Sequence, residues 1–209
     1  MNIIAKLVEI HHREGLWNSF VGRIRIHYYR RLQKRFHFNS WHITPYQLRP
    51  YAVDVLKLIN GMTKSGEINS VCEVGCGIGD ILNNIKHTES RIGIDMSEEQ
   101  IACAKYLSKG RANYYVGTFG DVKDAVSYGK LDLLITVNFI HAIDPNTLKS
   151  LYDSIFDHVD VRYIIIDCVD GEGYKYFHNP AVILPQYRIA KTIGTGYTGG
   201  RTTYLLEKK

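Results

Sequence analysis

Short apolar runs alternate with segments of helical periodicity along most of this 209-residue chain. Runs rich in β-branched and aromatic residues predict strands, at Val71–Val74, Arg91–Asp95, Tyr114–Val116, Leu131–Val137, Tyr163–Asp167, Arg188–Ile193 and Arg201–Glu207. After the fourth run, apolar residues recur at helical spacing, and Asp144 followed by Pro145 marks the start of that helix. The pattern therefore predicts strands that alternate with helices and end in a hairpin.

A glycine-rich turn follows the first of these strands. Residues 71–80 read Val-Cys-Glu-Val-Gly-Cys-Gly-Ile-Gly-Asp, with glycine at the alternate positions Gly75, Gly77 and Gly79. Glycines let the backbone turn sharply and approach a ligand with no Cβ in the way. The next apolar residues, at Ile81, Leu82 and Ile85, predict the buried face of a helix. A cofactor is expected over the start of that helix.

The charge beside the turn narrows the identity of the cofactor. Glu73 would repel a pyrophosphate, but it suits a ligand that carries an ammonium and a sulfonium group. A dinucleotide fingerprint needs Gly or Ala where this chain has Asp80, and the Gly-Lys-Ser/Thr run of a phosphate-binding loop does not occur. The turn favours S-adenosyl-L-methionine over NAD, FAD, ATP or GTP, and an ordinary strand-to-helix turn is the alternative.

A second carboxylate ends the next strand. Asp95 lies sixteen residues after Gly79, the spacing of one strand-helix-strand unit, and an acid there can accept hydrogen bonds from both ribose hydroxyls of a cofactor. Ser97 is expected to cap the following helix with Gln100 completing a capping box, and Gly110 to end it. The alternative role for Asp95 is a second cap of that helix.

The turn from Glu73 to Gly79 with Asp95 downstream resembles the class I S-adenosylmethionine-dependent methyltransferases. The resemblance implies a Rossmann-like α/β fold, a doubly wound, seven-stranded and mainly parallel sheet with an antiparallel last strand. It covers residues 51–209 as the cofactor-binding domain and leaves residues 1–50 as a helical N-terminal extension. The chain also has a looser likeness to small methyltransferases of bacterial polysaccharide pathways.

The resemblance assigns roles to individual residues. Cofactor contacts are implied for Glu73, Gly75, Cys76, Gly77, Gly79, Asp95, Met96, Thr118, Phe119, Asn138 and Phe139. Asp121 is an alternative to Thr118 at the adenine amino group, and Phe119 either covers the adenine or only packs. His141 is the candidate general base, because an ordinary imidazole pKa of about 6.5 suits deprotonation of a hydroxyl. A structural role for His141, with methyl transfer driven by positioning alone, is the alternative.

The N-terminal extension differs in charge from the rest of the chain. Residues 1–49 carry nine Lys or Arg and two Glu, a net charge of +7, which leaves −2 of the total of +5 for the remainder. Phe20, Ile24, Tyr28 and Leu32 recur at helical spacing among arginines and lysines, so residues 20–36 predict a basic amphipathic helix. Such a helix docks on the catalytic domain, or contacts an anionic membrane surface, a phosphorylated substrate or nucleic acid.

An aromatic segment joins this helix to the domain. We expect it to cap the acceptor site, with Trp41, Tyr46 and Arg49 as substrate-binding residues and His42 or His37 as a second candidate base. The alternative is an aromatic linker that pins the extension onto the domain.

Composition sets the remaining limits. The chain has 45% hydrophobic and 22% charged residues, enough for one folded domain. Its four cysteines form neither a metal-binding pattern nor a secreted disulfide framework, which predicts a cytoplasmic protein, with peripheral attachment to the inner face of the membrane as an option. No signal peptide, membrane span or metal site is expected. Nothing in the sequence predicts the oligomeric state.

These observations lead to one leading function and two alternatives. We expect an S-adenosylmethionine-dependent methyltransferase that O-methylates a saccharide, a glycan intermediate or another small-molecule acceptor. An RNA methyltransferase would use the basic extension to bind phosphates. A non-catalytic S-adenosylmethionine-binding module would keep the fold without the reaction.

Overall fold

The computed structural model describes residues 3–171, 173–197 and 199–209, with side chains described from residue 17 onward except residue 128. Seven strands form one sheet in the order β3-β2-β1-β4-β5-β7-β6. The strands are β1 (Ser70–Val74), β2 (Ser90–Asp95), β3 (Asn113–Val116), β4 (Lys130–Thr136), β5 (Asp160–Val169), β6 (Tyr187–Tyr197) and β7 (Arg201–Lys208). Strand β7 is antiparallel to both β5 and β6, and the other pairs are parallel. The predicted fold class and antiparallel closing strand are confirmed.

Helices cover both faces of the sheet, because alternate residues of the central strands point to opposite sides. The helices are α1 (Ile3–Phe36), α2 (Pro50–Lys64), α3 (Glu98–Ser108), α4 (Val122–Ala125), α5 (Pro145–Phe156) and α6 (Pro180–Ile183). Helices α2 and α3 share one apolar core with one face of the sheet, while α4, α5 and α6 share a second core with the other face. No helix in the described part of the chain is long and apolar enough to span a membrane.

The expectation of a helix directly after the glycine turn is wrong. Only a single 3-10 turn forms, at Leu82–Asn84, although Ile81, Leu82 and Ile85 are buried as predicted. The Asn84 side chain donates to the Asp80 carbonyl, and the Asn60 side chain binds the Asn84 carbonyl and the Lys86 amide. Local side-chain bonds of this kind compete with helix formation.

The predicted Ser97 cap of the next helix is observed, but the capping box is not, because the Ser97 amide donates to Asp95 and the Gln100 side chain lies beside Asp95 and His42. The Ser97 hydroxyl accepts a hydrogen bond from the Gln100 amide at 3.2 Å and caps α3. The helix was expected to end at Gly110, but the left-handed conformation that ends it is already adopted by Lys109, with φ of 53°.

The cysteines are all free and all buried. Burial raises the pKa of Cys103 and Cys168 to about 12. It raises the pKa of Cys72 and Cys76 as well, and the nearby Glu73 carboxylate adds to the effect. These thiols therefore stay protonated, which agrees with a packing role for Cys168 within β5, the last parallel strand.

Candidate active site

A cavity of about 460 Å³ lies at the carboxyl ends of the central strands. Neighbours β2 and β4 flank β1 in the sheet, so the cavity sits where the strand order reverses, the usual place for ligands in open α/β sheets. Nine of the predicted cofactor residues line this first cavity: Glu73, Gly75, Cys76, Asp95, Met96, Thr118, Phe119, Asn138 and Phe139. Gly77 and Gly79 do not line it.

The glycines of the turn nevertheless shape the cavity, because each has a positive φ, between 55° and 71°. A Cβ on Gly75 would lie 2.5 Å from the Phe139 ring, and one on Gly77 would lie 2.5 Å from the His42 ring. The neighbouring strand β2 fixes the backbone of the turn, since the amides of Gly75 and Cys76 both donate to the Ile94 carbonyl. The absence of side chains thus brings two rings against the turn.

Glu73 is one of two buried acids that line the first cavity, with Asp80 as the other. Burial raises the pKa of Glu73 to about 8, although the Arg49 guanidinium opposes the shift. Among the described residues, its Oε2 has no hydrogen-bond partner. The Leu82 backbone bonds to the carboxyl group, but burial still disfavours its charged form, and an ammonium group placed beside it would stabilise that form. The site therefore fits the aminoacyl end of S-adenosylmethionine.

Asp95 serves the turn and the following helix together. Its Oδ2 accepts a hydrogen bond from the Gly77 amide at 2.8 Å, and its Oδ1 accepts one from the Ser97 amide at 3.0 Å. Each carboxylate oxygen has further lone pairs, so these bonds leave acceptor capacity toward the cavity that Asp95 lines. The capping role is observed, and ribose binding stays a prediction.

The loop after β3 presents Phe119 and Thr118 to the first cavity. Phe119 is buried against the rings of Phe139 and Tyr152, with centroids 5.8 and 5.4 Å away. The Asp121 carboxylate accepts hydrogen bonds from the Thr118 amide and hydroxyl, so it closes its own turn and does not line the cavity. Of the two residues considered for the adenine amino group, only Thr118 is in position.

The loop after β4 depends on a buried ion pair that the sequence did not reveal. Asn138 has a φ of 70°, its amide donates to Asp167 Oδ1 at 2.9 Å, and its Oδ1 accepts from Arg201 Nη2 at 2.9 Å. Arg201 pairs with Asp167, and its guanidinium lies 4.5 Å from the centre of the Tyr51 ring. These residues hold the Asn138 side chain in a fixed orientation between two cavities.

The extension closes one side of the first cavity through Asp80, the last residue of the glycine-rich turn. The buried Asp80 carboxylate accepts hydrogen bonds from the Tyr29 hydroxyl at 2.7 Å, the Tyr46 amide at 2.5 Å and Arg49 Nη2 at 2.9 Å. One acid thus connects α1, the aromatic segment and the cofactor turn. The sequence analysis used Asp80 only as an argument against a dinucleotide.

The aromatic segment brings some of its predicted residues to the cavity. Trp41, His42 and Arg49 line it, whereas Tyr46 lines neither cavity and lies 5.6 Å from the Arg25 guanidinium. The prediction that Tyr46 contacts an acceptor therefore finds no geometric support, since its backbone amide is bound to Asp80.

His42 lies at the Asp95 end of the cavity rather than at the Asn138 end. With the Gln100 amide nitrogen turned toward them, that nitrogen lies 3.2 Å from His42 Nε2 and 3.1 Å from Asp95 Oδ1. Burial and the Arg49 charge lower the pKa of His42, so its ring is neutral at pH 7. This position suits a contact with the ribose better than proton removal from an acceptor.

His141 lines neither cavity. Its ring meets the Tyr174 ring edge-on at 4.8 Å, and Nδ1 has no hydrogen-bond partner among the described residues. Burial, Arg201 and His178 lower its pKa, so this ring is also neutral at pH 7. The position of His141 outside both cavities therefore gives its role as the general base no geometric support.

A second cavity of about 240 Å³ adjoins the first. Its walls are Trp41, Thr44, Leu48, Arg49, Pro50, Tyr51, Asn138, Tyr174, Tyr197 and Arg201. Trp41, Arg49, Tyr51 and Asn138 line both cavities, so the two sites share a boundary.

Comparison with known proteins agrees with this geometry. Residues 71–161 match the methyltransferase domain family. No curated protein matches the chain by sequence.

Three solved structures have similar folds. Magnesium protoporphyrin IX methyltransferase from Synechocystis PCC 6803, solved with bound SAH, is 14% identical with a TM-score of 0.62 over 91% of this chain and 99% of that one. WbdD, a bifunctional kinase-methyltransferase, is 22% identical with a TM-score of 0.57 over 73% of this chain and 39% of that one. An S-adenosylmethionine-dependent methyltransferase from Clostridium acetobutylicum is 13% identical with a TM-score of 0.56 over 76% and 90%. The family match identifies residues 71–161 as a methyltransferase domain, and the fold around it is one that S-adenosylmethionine-dependent methyltransferases share.

Proposed function

We propose that this methyltransferase transfers a methyl group to a hydroxyl oxygen of a small acceptor, a saccharide or glycan intermediate, held in the second cavity. The observation that carries the proposal is the boundary that this cavity shares with the cofactor cavity at Trp41, Arg49, Tyr51 and Asn138. The volume of about 240 Å³ is below the ~300–1,000 Å³ usual for ligand sites, which favours a single ring over a polymer segment.

The chemistry of the walls supports a polyhydroxylated ring. Trp41, Tyr51, Tyr174 and Tyr197 give the second cavity aromatic walls. Such side chains combine flat apolar faces with polar tips, so they can pack on a sugar ring and bond its hydroxyls. Asn138 and the two arginines of the walls add polar groups that can fix the orientation of an acceptor.

The charge balance favours a neutral acceptor. Arg49 is paired with Asp80, and Arg201 is paired with Asp167. Each guanidinium in the walls therefore already has a carboxylate partner, and little positive charge is left over for a run of phosphates. A neutral small molecule of another class would satisfy the same walls.

The residues of the chain contribute mainly by positioning. The cofactor, when bound, supplies a sulfonium methyl group that a nucleophilic oxygen can attack. Glu73 would bind the ammonium group of the cofactor, and Asp95 and His42 would bind its ribose. Asn138 would lie between the cofactor and the acceptor. Holding an oxygen in line can supply about 7–11 kcal/mol of the barrier without a general base. The neutral His141 ring is the candidate acceptor of the hydroxyl proton, although it lines neither cavity.

RNA methylation is the second candidate, and the net charge of +7 in residues 1–49 favours it. An RNA substrate predicts binding that weakens steeply with salt, since each neutralised phosphate releases counterions. Flat binding between low and physiological ionic strength would exclude RNA. For a binding module without catalysis, tight cofactor binding would occur with no methyl transfer into any fraction of a cell extract.

We further place the reaction in the cytoplasm, where reduced thiols persist, because the four cysteines are free and buried. An acceptor at the inner face of the membrane, such as a lipid-linked glycan, is compatible with this location.

The experiment uses methyl-labelled S-adenosylmethionine and fractionated cell extract, with products separated into glycan and lipid, RNA, protein and small-molecule pools. Label in the glycan or small-molecule pool supports the proposal, and label in RNA replaces it with the second candidate. Tyr174→Ala tests the acceptor cavity, because Tyr174 lines only the second cavity. We expect unchanged cofactor affinity and a lower kcat/KM, and unchanged kcat/KM would show that the acceptor binds elsewhere.

A further inference from the structure

Helix α1 carries a row of large apolar side chains that face solvent. Trp17, Phe20, Ile24 and Tyr28, here called the outer stripe, are 74%, 59%, 55% and 44% exposed. Their spacing of three and four residues places them on one face of the helix. Contiguous exposed apolar residues of this size mark an interaction site more often than scattered single ones do.

The outer stripe is not the face that docks on the domain. The docked face is formed by Ser19, Gly22, Tyr29 and Leu32, which are buried. A Cβ on Gly22 would lie 2.6 Å from the Leu48 side chain, so the helix approaches the aromatic segment closely there. The Tyr28 side chain also hydrogen-bonds Tyr106 of α3, so packing of the fold accounts for one face of α1 and for Tyr28 and leaves Trp17, Phe20 and Ile24 without a role.

Positive charge surrounds the outer stripe. Residues 17–36 contain six Lys or Arg and no Asp or Glu. Most of these cations are exposed, at Arg23, Arg30, Arg31, Lys34 and Arg35. Arg31 continues the row of the outer stripe toward the end of the helix, because it follows Ile24 by seven and Tyr28 by three residues.

Charge decides which occupant fits this surface. A second copy of the chain, packed stripe against stripe, would bring the arginines of both helices together, and like charges oppose such a contact. Nucleic acid would use the cations but leave Trp17, Phe20 and Ile24 exposed. An anionic lipid surface uses both features, because aromatic and aliphatic side chains insert at the interface while Lys and Arg contact the headgroups.

We infer that α1 binds the surface of an anionic membrane, with the outer stripe inserted at the headgroup level and the flanking arginines on the lipid phosphates. The helix lies in the plane of the interface and does not span it. This inference concerns the partner of α1 and holds whichever acceptor is methylated.

Flotation with lipid vesicles tests the inference on the full chain. Vesicles of phosphatidylcholine with phosphatidylglycerol should carry the protein, and vesicles of phosphatidylcholine alone should carry at least tenfold less. Phe20→Ser with Ile24→Ser should weaken binding at least tenfold, because two apolar side chains no longer insert. Arg30→Gln with Arg31→Gln should weaken it about 30-fold, the effect of two basic residues at an anionic surface.

Two matched controls keep the test specific. Phe177→Ser with Val182→Ser removes two equally exposed apolar side chains away from α1 and should leave vesicle binding unchanged. In a Trp41→Phe background Trp17 is the sole tryptophan, and its emission should shift to the blue on anionic vesicles. Equal cofactor affinity of the three double variants verifies that they fold, and an unchanged Tm verifies it for Trp41→Phe, whose side chain lines the first cavity.

Three results would overturn the inference. The first is no binding to anionic vesicles, and the second is binding that Phe20→Ser with Ile24→Ser leaves unchanged. The third is a dimer in solution that the same substitutions dissociate, because the outer stripe would then belong to an interface between two copies.

Discussion

Replacing Asp80 by asparagine should loosen the extension from the cofactor site. The buried carboxylate accepts three hydrogen bonds, from Tyr29, Tyr46 and Arg49, and it is the ion-pair partner of Arg49. Removing one partner of a buried ion pair costs about 3–5 kcal/mol, because the other charge stays buried without compensation. Since the Arg49 side chain keeps some contact with solvent, we expect the low end, about 3 kcal/mol.

The expected loss is large enough to measure in two ways. For a domain of this size, about 3 kcal/mol lowers the Tm by about 6–12 °C. Urea unfolding should show the same loss at an unchanged m-value. Tyr29→Phe removes a single hydrogen bond to the carboxylate and should cost about 1.5 kcal/mol. Cofactor affinity should also fall in Asp80→Asn, because Trp41, His42 and Arg49 line the first cavity from the extension side.

An exposed ion pair provides the control for this prediction. Asp160 binds Lys208 at 2.5 Å, but both side chains are largely exposed, so Asp160→Asn should cost no more than about 1 kcal/mol. An Asp80→Asn protein as stable as Asp160→Asn would refute the reasoning, since the carboxylate would then not hold the extension in place.

Three further predictions concern the cofactor and the two histidines. Because burial raises the pKa of Glu73 to about 8, the free protein holds a proton there that an incoming ammonium displaces. Cofactor affinity should therefore rise with pH, by up to about tenfold per pH unit between about pH 6 and 7.5. The Glu73→Gln variant should bind the cofactor weakly and show no such pH dependence. If calorimetry finds a wild-type affinity that does not change with pH, Glu73 does not bind the ammonium group. Asp95→Ala should weaken cofactor binding at least tenfold, since each hydrogen bond to a carboxylate is worth about 1.5–3 kcal/mol, and unchanged affinity by calorimetry would limit Asp95 to capping. His42→Ala should weaken cofactor binding, whereas His141→Ala should spare it and slow transfer by about 10²–10⁴ if His141 is the base. Turnover unaltered by His141→Ala would assign that ring to packing against Tyr174.

The sheet could be predicted because its signals are local. Each strand is a short apolar run bounded by polar residues, and the glycine-rich turn together with Asp95 marks one strand-helix-strand unit. The same locality explains why nine of the predicted residues line the first cavity, since they lie at or close after the strand ends.

The sequence analysis missed features for two reasons: side-chain hydrogen bonds compete with helix formation, and some contacts join residues far apart in the sequence. The helix expected after Gly79 was lost because the side chains of Asn60 and Asn84 bind backbone groups that a helix would use. On α1 the sequence left the docked face open, and the structure divides the apolar row, with Leu32 buried against the domain and Phe20, Ile24 and Tyr28 exposed.

The hydrogen bonds of Asp80 connect residues that lie 31 to 51 positions apart in the sequence. The ion pair of Arg201 with Asp167 connects strands β7 and β5. No periodicity in the sequence reports such long-range pairs. The only local signal was the presence of an acid where a dinucleotide site would have glycine.

The buried cysteines have a practical consequence for following α1. Thiolates are the reactive form, and a thiol with a pKa of about 12 is ionised in roughly one molecule in ten thousand at pH 8. The native chain should therefore resist maleimide labelling while it is folded. A cysteine introduced on the solvent side of α1 would carry a single fluorophore or spin label, and depth measurements at a lipid bilayer would need no cysteine-free background.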